Sequence, residues 1–242
     1  MLRNTNPFFY YGLIPISSVL LFFSVRYYYN FLNDGKTTQT IFFKSCSVLI
    51  ILLIALLAPS NFLFNPLPGN VMLFLTGGLF FSLIGDIALA IPANKAKITG
   101  IISFMIVQSL YTSAFFTYTN VDDFIIPAVI CVVISLFVLY RLRAMPPAVF
   151  ILFLLYGIFV SVMTGTAIGG IVTGVHQRAA ALFAFGAVMF FLSDILLSLY
   201  YLHVFIKKPL DKKTFRGFCI QYSTIFYFIG QYVIAVTMFY FL

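Results

Sequence analysis

Charge is what this sequence lacks most. Only 8% of its residues are charged, glutamate and tryptophan are absent, and there are six aspartates, two histidines and three cysteines. A soluble domain carries roughly a quarter charged residues, so a deficit this deep along the whole chain excludes water as the main solvent. With no glutamate, and with His176 and His203 each near the end of an apolar run, a metal site is not expected. Cys46, Cys131 and Cys219 show no CxxC spacing, so they suggest neither a disulfide framework nor a zinc site and read as small apolar core residues. Also missing are a GxSxG elbow, an HExxH helix and a glycine-rich phosphate loop, which removes the commonest hydrolase and nucleotide chemistries.

What is present is apolar. The apolar set makes up 62% of the 242 residues, with 31 Phe and 15 Tyr, and the mean hydropathy is +1.08. Runs long enough to cross about 30 Å of hydrocarbon occur near residues 8–29, 42–58, 71–92, 98–118, 124–140, 148–172, 179–205 and 217–241. The expected fold is an all-α polytopic bundle of about eight transmembrane helices, since only closed helical or barrel structures satisfy the backbone in lipid. Residues 1–242 read as one integral membrane domain, with two four-helix halves, about 1–120 and 121–242, as its candidate internal division. The first run lacks a small-residue cleavage site and is expected to be retained.

Basic residues are unevenly distributed among the connections. Twelve flank the first, third, fifth and seventh, among them Lys36, Lys44, Lys95, Lys97, Arg141, Arg143, Lys207 and Lys208; Arg3 and Arg178 alone lie on the other side. The positive-inside rule then makes the odd connections cytoplasmic and places both termini on the non-cytoplasmic side. The net charge of +8 is mostly this topology signal. The bilayer is one expected partner, and nucleic acid is not, because no basic folded surface with stacking aromatics faces water. A bacterial inner membrane fits best, or the endoplasmic reticulum if the source is eukaryotic.

Four aspartates, Asp34, Asp122, Asp123 and Asp211, fall in connections and can sit in water. Asp86 and Asp194 cannot. Each follows an apolar run in the pattern Asp-Ile-x-Leu-Ala/Ser, about 15 residues after the outer start of its span. An ionisable group at membrane depth marks a functional site unless it is a structural residue bonded to a neighbouring hydroxyl or amide. Spans three and seven cross in the same direction, so the two acids are expected at similar depth. Their 108-residue offset also hints at a parallel repeat. Gly78, Ser82 and Asp86 recur every four residues, as do Gly186, Phe190, Asp194 and Ser198, which points these faces toward neighbouring helices. Gly157, Ser161, Gly165 and Gly169 form another stripe, read as packing. Further inward polar candidates are Gln108, Tyr111 and Thr112 on the fourth span, with Gln221, Thr224, Tyr227 and Gln231 on the eighth.

Two carboxyls close together at low dielectric cannot both ionise cheaply, so the pair is expected to hold a proton near neutral pH. One acid and one base then serve either hydrolysis through an oxocarbenium-like state or a proton relay in a transporter.

The strings LTGGLFFSLIGDIALAI, ITGIISFMIVQSLYTSAF, YGIFVSVM, FGAVMFFLSDILLSLYYL and FYFIGQYVIA, in this order, resemble the YhhN-like family of membrane lysoplasmalogenases. The similarity runs from about Lys44 to the end of the chain. It implies hydrolysis of the vinyl ether bond of a lysophospholipid substrate to a fatty aldehyde and a glycerophospho-base, without a cofactor. By this resemblance Asp86 and Asp194 are the catalytic acids, and Tyr111, Tyr156, Met163, Tyr227 and Gln231 fall on family motif positions. Lys44, Ser82, Gln108 and Ser193, with Tyr111, Tyr156, Tyr227 and Gln231, make up the candidate substrate-binding set. Gln108 stands where the family usually has His, and Lys44-Ser45 where Lys-Pro is expected. Lys44 would hold the substrate phosphate as a point charge, or else simply snorkel to the interface. The expected site is a cavity between spans three, four, seven and eight, opening toward the cytoplasm, with lateral access for the acyl-like chain. Two other readings use the same residues: a proton-coupled transporter or flippase, and a non-catalytic scaffold in which both aspartates are replaceable by asparagine.

Overall fold

The computed structural model describes residues 7–33, 37–58, 69–91, 93–116, 118–141, 146–174, 177–205 and 212–240. Arg3, Asp34, Lys36, Arg143, His176, Lys207, Lys208 and Asp211 lie outside the described residues. Among those described there are eight α-helices and no strands: α1 (Pro7–Asn33), α2 (Thr37–Leu57), α3 (Gly69–Ala90), α4 (Asn94–Phe116), α5 (Val121–Arg141), α6 (Pro147–Val172), α7 (Gln177–Phe205) and α8 (Lys212–Thr237). A single 3-10 turn, Met238–Tyr240, extends α8.

The helices follow from the solvent. With no water to bond exposed amides, each apolar run closes its own backbone hydrogen bonds. Seven helices are long and apolar enough to cross a bilayer, and α1 contributes a shorter apolar stretch, Gly12–Tyr28. The chain is an integral membrane protein. Side chains that would be buried in a soluble fold face outward here: Phe22, Ile126, Phe137 and Val172 are all more than 60% exposed. All eight run as continuous helices, with Pro15 inside α1 and Pro127 inside α5.

Two expectations about helix starts need correction. Asp122 and Asp123, read as loop residues, occupy the first turn of α5, where negative charge complements the helix dipole; Asn120 donates to Asp123 at 3.0 Å. The eighth run was expected from about 217, yet α8 begins at Lys212, because lysine is a good helix former and extends the helix by a turn before the apolar run.

Consecutive helices pair α1 with α2, α3 with α4, α5 with α6 and α7 with α8, and α6 bridges α4 and α7. Short connections make sequence neighbours antiparallel. The α6 glycine stripe packs, as expected: a Cβ on Gly165 would fall 2.6 Å from the Ala128 backbone of α5. The α7–α8 crossing is as tight. A Cβ on Gly186 would lie 2.9 Å from the Gly230 carbonyl, and one on Gly230 would lie 2.8 Å from the Gly186 carbonyl. Phe183, Ala187, Phe190, Tyr111 and Ile234 fill the core around this crossing.

Candidate functional site

The site is assembled where the second halves of α3 and α7 meet the early turns of α2 and the middle of α8. Both acids lie 17 residues beyond the first residue of their helices, Gly69 and Gln177.

Lys44 lies near the start of α2, and its Nζ is 2.7 Å from Asp86 Oδ1. Asp86 is 2% exposed and the Lys44 side chain 16%. The Tyr227 hydroxyl, from α8, donates to the other carboxylate oxygen, Oδ2. Lys44 Nζ also stands 5.9 Å from the Tyr227 ring centroid. A cation and a hydroxyl therefore compensate a carboxylate that would otherwise be prohibitively costly to bury.

Asp194 is held differently. Tyr156 of α6 donates its hydroxyl to Asp194 Oδ2 at 2.9 Å, and among the described residues no cation lies within ion-pair distance of it. Its neighbour Ser193 turns away, donating to the Ser223 carbonyl of α8 at 2.9 Å.

Both acids line one cavity of about 320 Å³, together with Lys44, Tyr156, Ser193 and Tyr227. Phe104, Phe190 and Tyr227 pack edge to face along one of its walls, with centroids 5.6 to 6.1 Å apart. The cavity draws on more helices than the expected four. Tyr28 of α1, Lys44 of α2 and Tyr156 of α6 complete it.

The remaining predicted residues lie behind this wall. Tyr111 donates to Gln231 Oε1 at 2.8 Å, and Gln231 Nε2 donates to Ser82 Oγ at 3.1 Å. All three are fully buried, and this chain of bonds ties α4, α8 and α3 together one turn before Asp86 along α3. The absent side chain of Gly78 makes room for the Tyr111 ring: a Cβ there would sit 2.6 Å from Tyr111 Cδ1. Gln108 is also fully buried, yet among the described residues neither end of its amide has a hydrogen-bond partner. It faces the Tyr156 hydroxyl without reaching hydrogen-bond geometry. Met163 is buried in the core.

Tyr28, Phe104, Tyr200 and Ser223 also line the cavity and were not singled out from the sequence. Ser223 had a legible signal, since it lies four residues before Tyr227 on the same helical face. The others are aromatic residues in a chain rich in them, with nothing in their spacing to mark them.

Comparison with curated proteins and with solved structures finds no match. The YhhN family model matches residues 39–238, from α2 through the last helix, and spans both acids, Lys44, Tyr156 and Tyr227, though not Tyr28 of α1. The chain thus belongs to the YhhN family, the lysoplasmalogenase family.

Proposed function

We infer that this protein hydrolyses the vinyl ether bond of lysoplasmalogens, releasing a fatty aldehyde and glycerophosphocholine or glycerophosphoethanolamine. Membership of the lysoplasmalogenase family supports this reading. The observation that carries it is the unequal pairing of two acids on one cavity. Asp86 has Lys44 beside it, whereas Asp194 has the Tyr156 hydroxyl.

A vinyl ether is cleaved by protonation of the alkene carbon remote from oxygen, which leaves an oxocarbenium ion at the other alkene carbon. Asp194, neutral in the resting site, supplies that proton. Asp86, kept ionised by Lys44, stabilises the cation and takes a proton from the water that attacks it. The resulting hemiacetal breaks its bond to the glycerol oxygen, giving aldehyde and a free hydroxyl. One water is consumed, and the proton gained by Asp86 replaces the one lost by Asp194. Glycosidases divide the same work between two carboxyls. Tyr156 and Tyr227 orient the linkage in the cavity, and Ser193, bonded to the Ser223 carbonyl, holds α7 against α8. Lys44 acts as the counter-ion of Asp86, and Ser82, Tyr111 and Gln231 act behind the wall as positioning residues. The lysine-rich connections would turn the cavity toward the cytoplasm, in a bacterial inner membrane.

The test is aldehyde release from an alkenyl lysophospholipid by purified protein, beside Asp86→Asn, Asp194→Asn and an ester-linked control. Aldehyde from the unaltered protein alone, with the ester intact, supports the reading. No aldehyde from folded protein, together with lysolipid or proton flux in proteoliposomes, would assign the acids to transport instead.

A further inference from the structure

A second cavity, about 460 Å³, lies between α4, α6 and α7. It shares Leu89, Phe104, Tyr156, Asp194 and Leu197 with the chamber that holds both acids, so the two spaces meet at the Tyr156–Asp194 pair. Their walls differ in kind. The chamber presents Lys44, Ser193, Ser223, Thr224 and Tyr227 beside its acids. Away from Asp194, the second cavity is walled by Ile98, Ile101, Val149, Leu152 and Phe153. Its mouth opens sideways, where Ile98 is 49% and Val149 37% exposed, with Lys97 at the rim.

Resting on the hydrolytic reading above, we propose that this groove binds the hydrocarbon chain of the lysolipid and selects its length. The reacting linkage sits where the two cavities meet, and the head group lies in the polar chamber. A single-chain lipid is the occupant that matches one polar and one apolar compartment joined at a pair of acids. A competing groove of about 490 Å³ runs between α1 and α8, but it shares only Thr224 and Phe228 with the chamber and reaches neither acid. The bilayer is as apolar as the groove, so moving the chain from lipid into protein gains little affinity. The groove therefore acts by shape, and narrowing it penalises long chains selectively. The arrangement also gives the two products separate exits, the aldehyde sideways into lipid and the glycerophospho-base through the chamber.

Two measurements test this. In the first, a saturated alkyl-ether lysophosphocholine with a diazirine at the chain terminus, which cannot be hydrolysed, is photolysed with the protein in nanodiscs and the adducts are mapped by mass spectrometry. Adducts on residues 98–101 and 149–153 are expected, and they disappear in Ile101→Trp. Adducts on α1 and α8 instead would overturn the assignment. In the second, aldehyde release is compared for hexadecenyl and octenyl substrates. Leu152→Trp is expected to lower the long-to-short rate ratio at least tenfold while still turning over the octenyl substrate, and Ile225→Trp in the competing groove leaves the ratio unchanged. A ratio unmoved by Leu152→Trp and Ile101→Trp would sink the proposal. Groove adducts without aldehyde from the unaltered protein would leave the chain site standing and remove the hydrolysis. Aldehyde with adducts elsewhere would do the reverse.

Discussion

Replacing Lys44 by methionine keeps most of the unbranched apolar stem of the side chain and removes its ammonium group. Asp86, 2% exposed, then loses the cation 2.7 Å away and keeps the Tyr227 hydroxyl. Breaking a buried ion pair from one side costs about 3–5 kcal/mol. A carboxyl has a cheaper course, which is to take up a proton. Protonating an aspartate at pH 7 against its ordinary value near 4 spans about three decades, or about 4 kcal/mol, and this caps the loss. The sign follows from linkage: the folded variant holds a proton that the unfolded chain has released, so its stability falls as pH rises. The loss is therefore at most about 4 kcal/mol at pH 7 and at most about 1.5 kcal/mol at pH 5. Lys44→Met combined with Asp86→Asn removes both charges and is expected to lie within about 1–2 kcal/mol of the unaltered protein, because a buried pair replaced as a unit costs little. Unfolding in mixed micelles at pH 7 and pH 5, for both single variants and the double, measures this. A Lys44→Met loss identical at both pH values, or a double variant that falls by the sum of the singles, would refute the pairing as the source of stability.

Three further outcomes are expected. Gln108→Leu removes a buried amide with no partner at either end among the described residues, each unsatisfied group costing about 1–3 kcal/mol; its melting temperature in detergent should rise while aldehyde release falls, and a drop in both would show that the amide is bonded after all. Tyr111→Phe leaves Gln231 Oε1 without its donor and should cost about 1–3 kcal/mol; kcat should fall more than KM, since the tyrosine positions residues without lining the cavity. Gly230→Ala forces a methyl to within 2.8 Å of the Gly186 carbonyl and should cost about 1–3 kcal/mol by overpacking, measurable by thermal unfolding, whereas Gly217→Ala, with open space around it, should be neutral.

The membrane made the fold legible. Hydrocarbon demands continuous apolar helices, so run boundaries and helix boundaries agree to within a few residues for α3, α6 and α7. The acids were legible for the same reason, because a carboxyl in LFFSLIGDIALA has no cheap place to go. The pairing between helices was not legible. That Lys44 meets Asp86, and Tyr156 meets Asp194, depends on rotations and crossings of α2 and α6 that no period within a single helix encodes. Charge pattern at best places Lys44 near an interface, where snorkelling and ion pairing give the same sequence. The α4–α6–α7 groove was invisible in turn, since Ile101, Leu152 and Leu197 differ in no way from lipid-facing or core residues when read along the chain.

Gly186 and Gly230 bring two backbones together with no side chain between them, and this contact lies eight residues before Asp194 and three residues after Tyr227. The spacing between the carboxyl of α7 and the hydroxyl that engages Asp86 is thereby ruled by main-chain atoms, which cannot change rotamer. Side chains around the two acids could drift over evolutionary time while the gauge between them stayed fixed. Grafting this chemistry onto another bundle would mean copying two glycines in the interior of the helices before copying either aspartate.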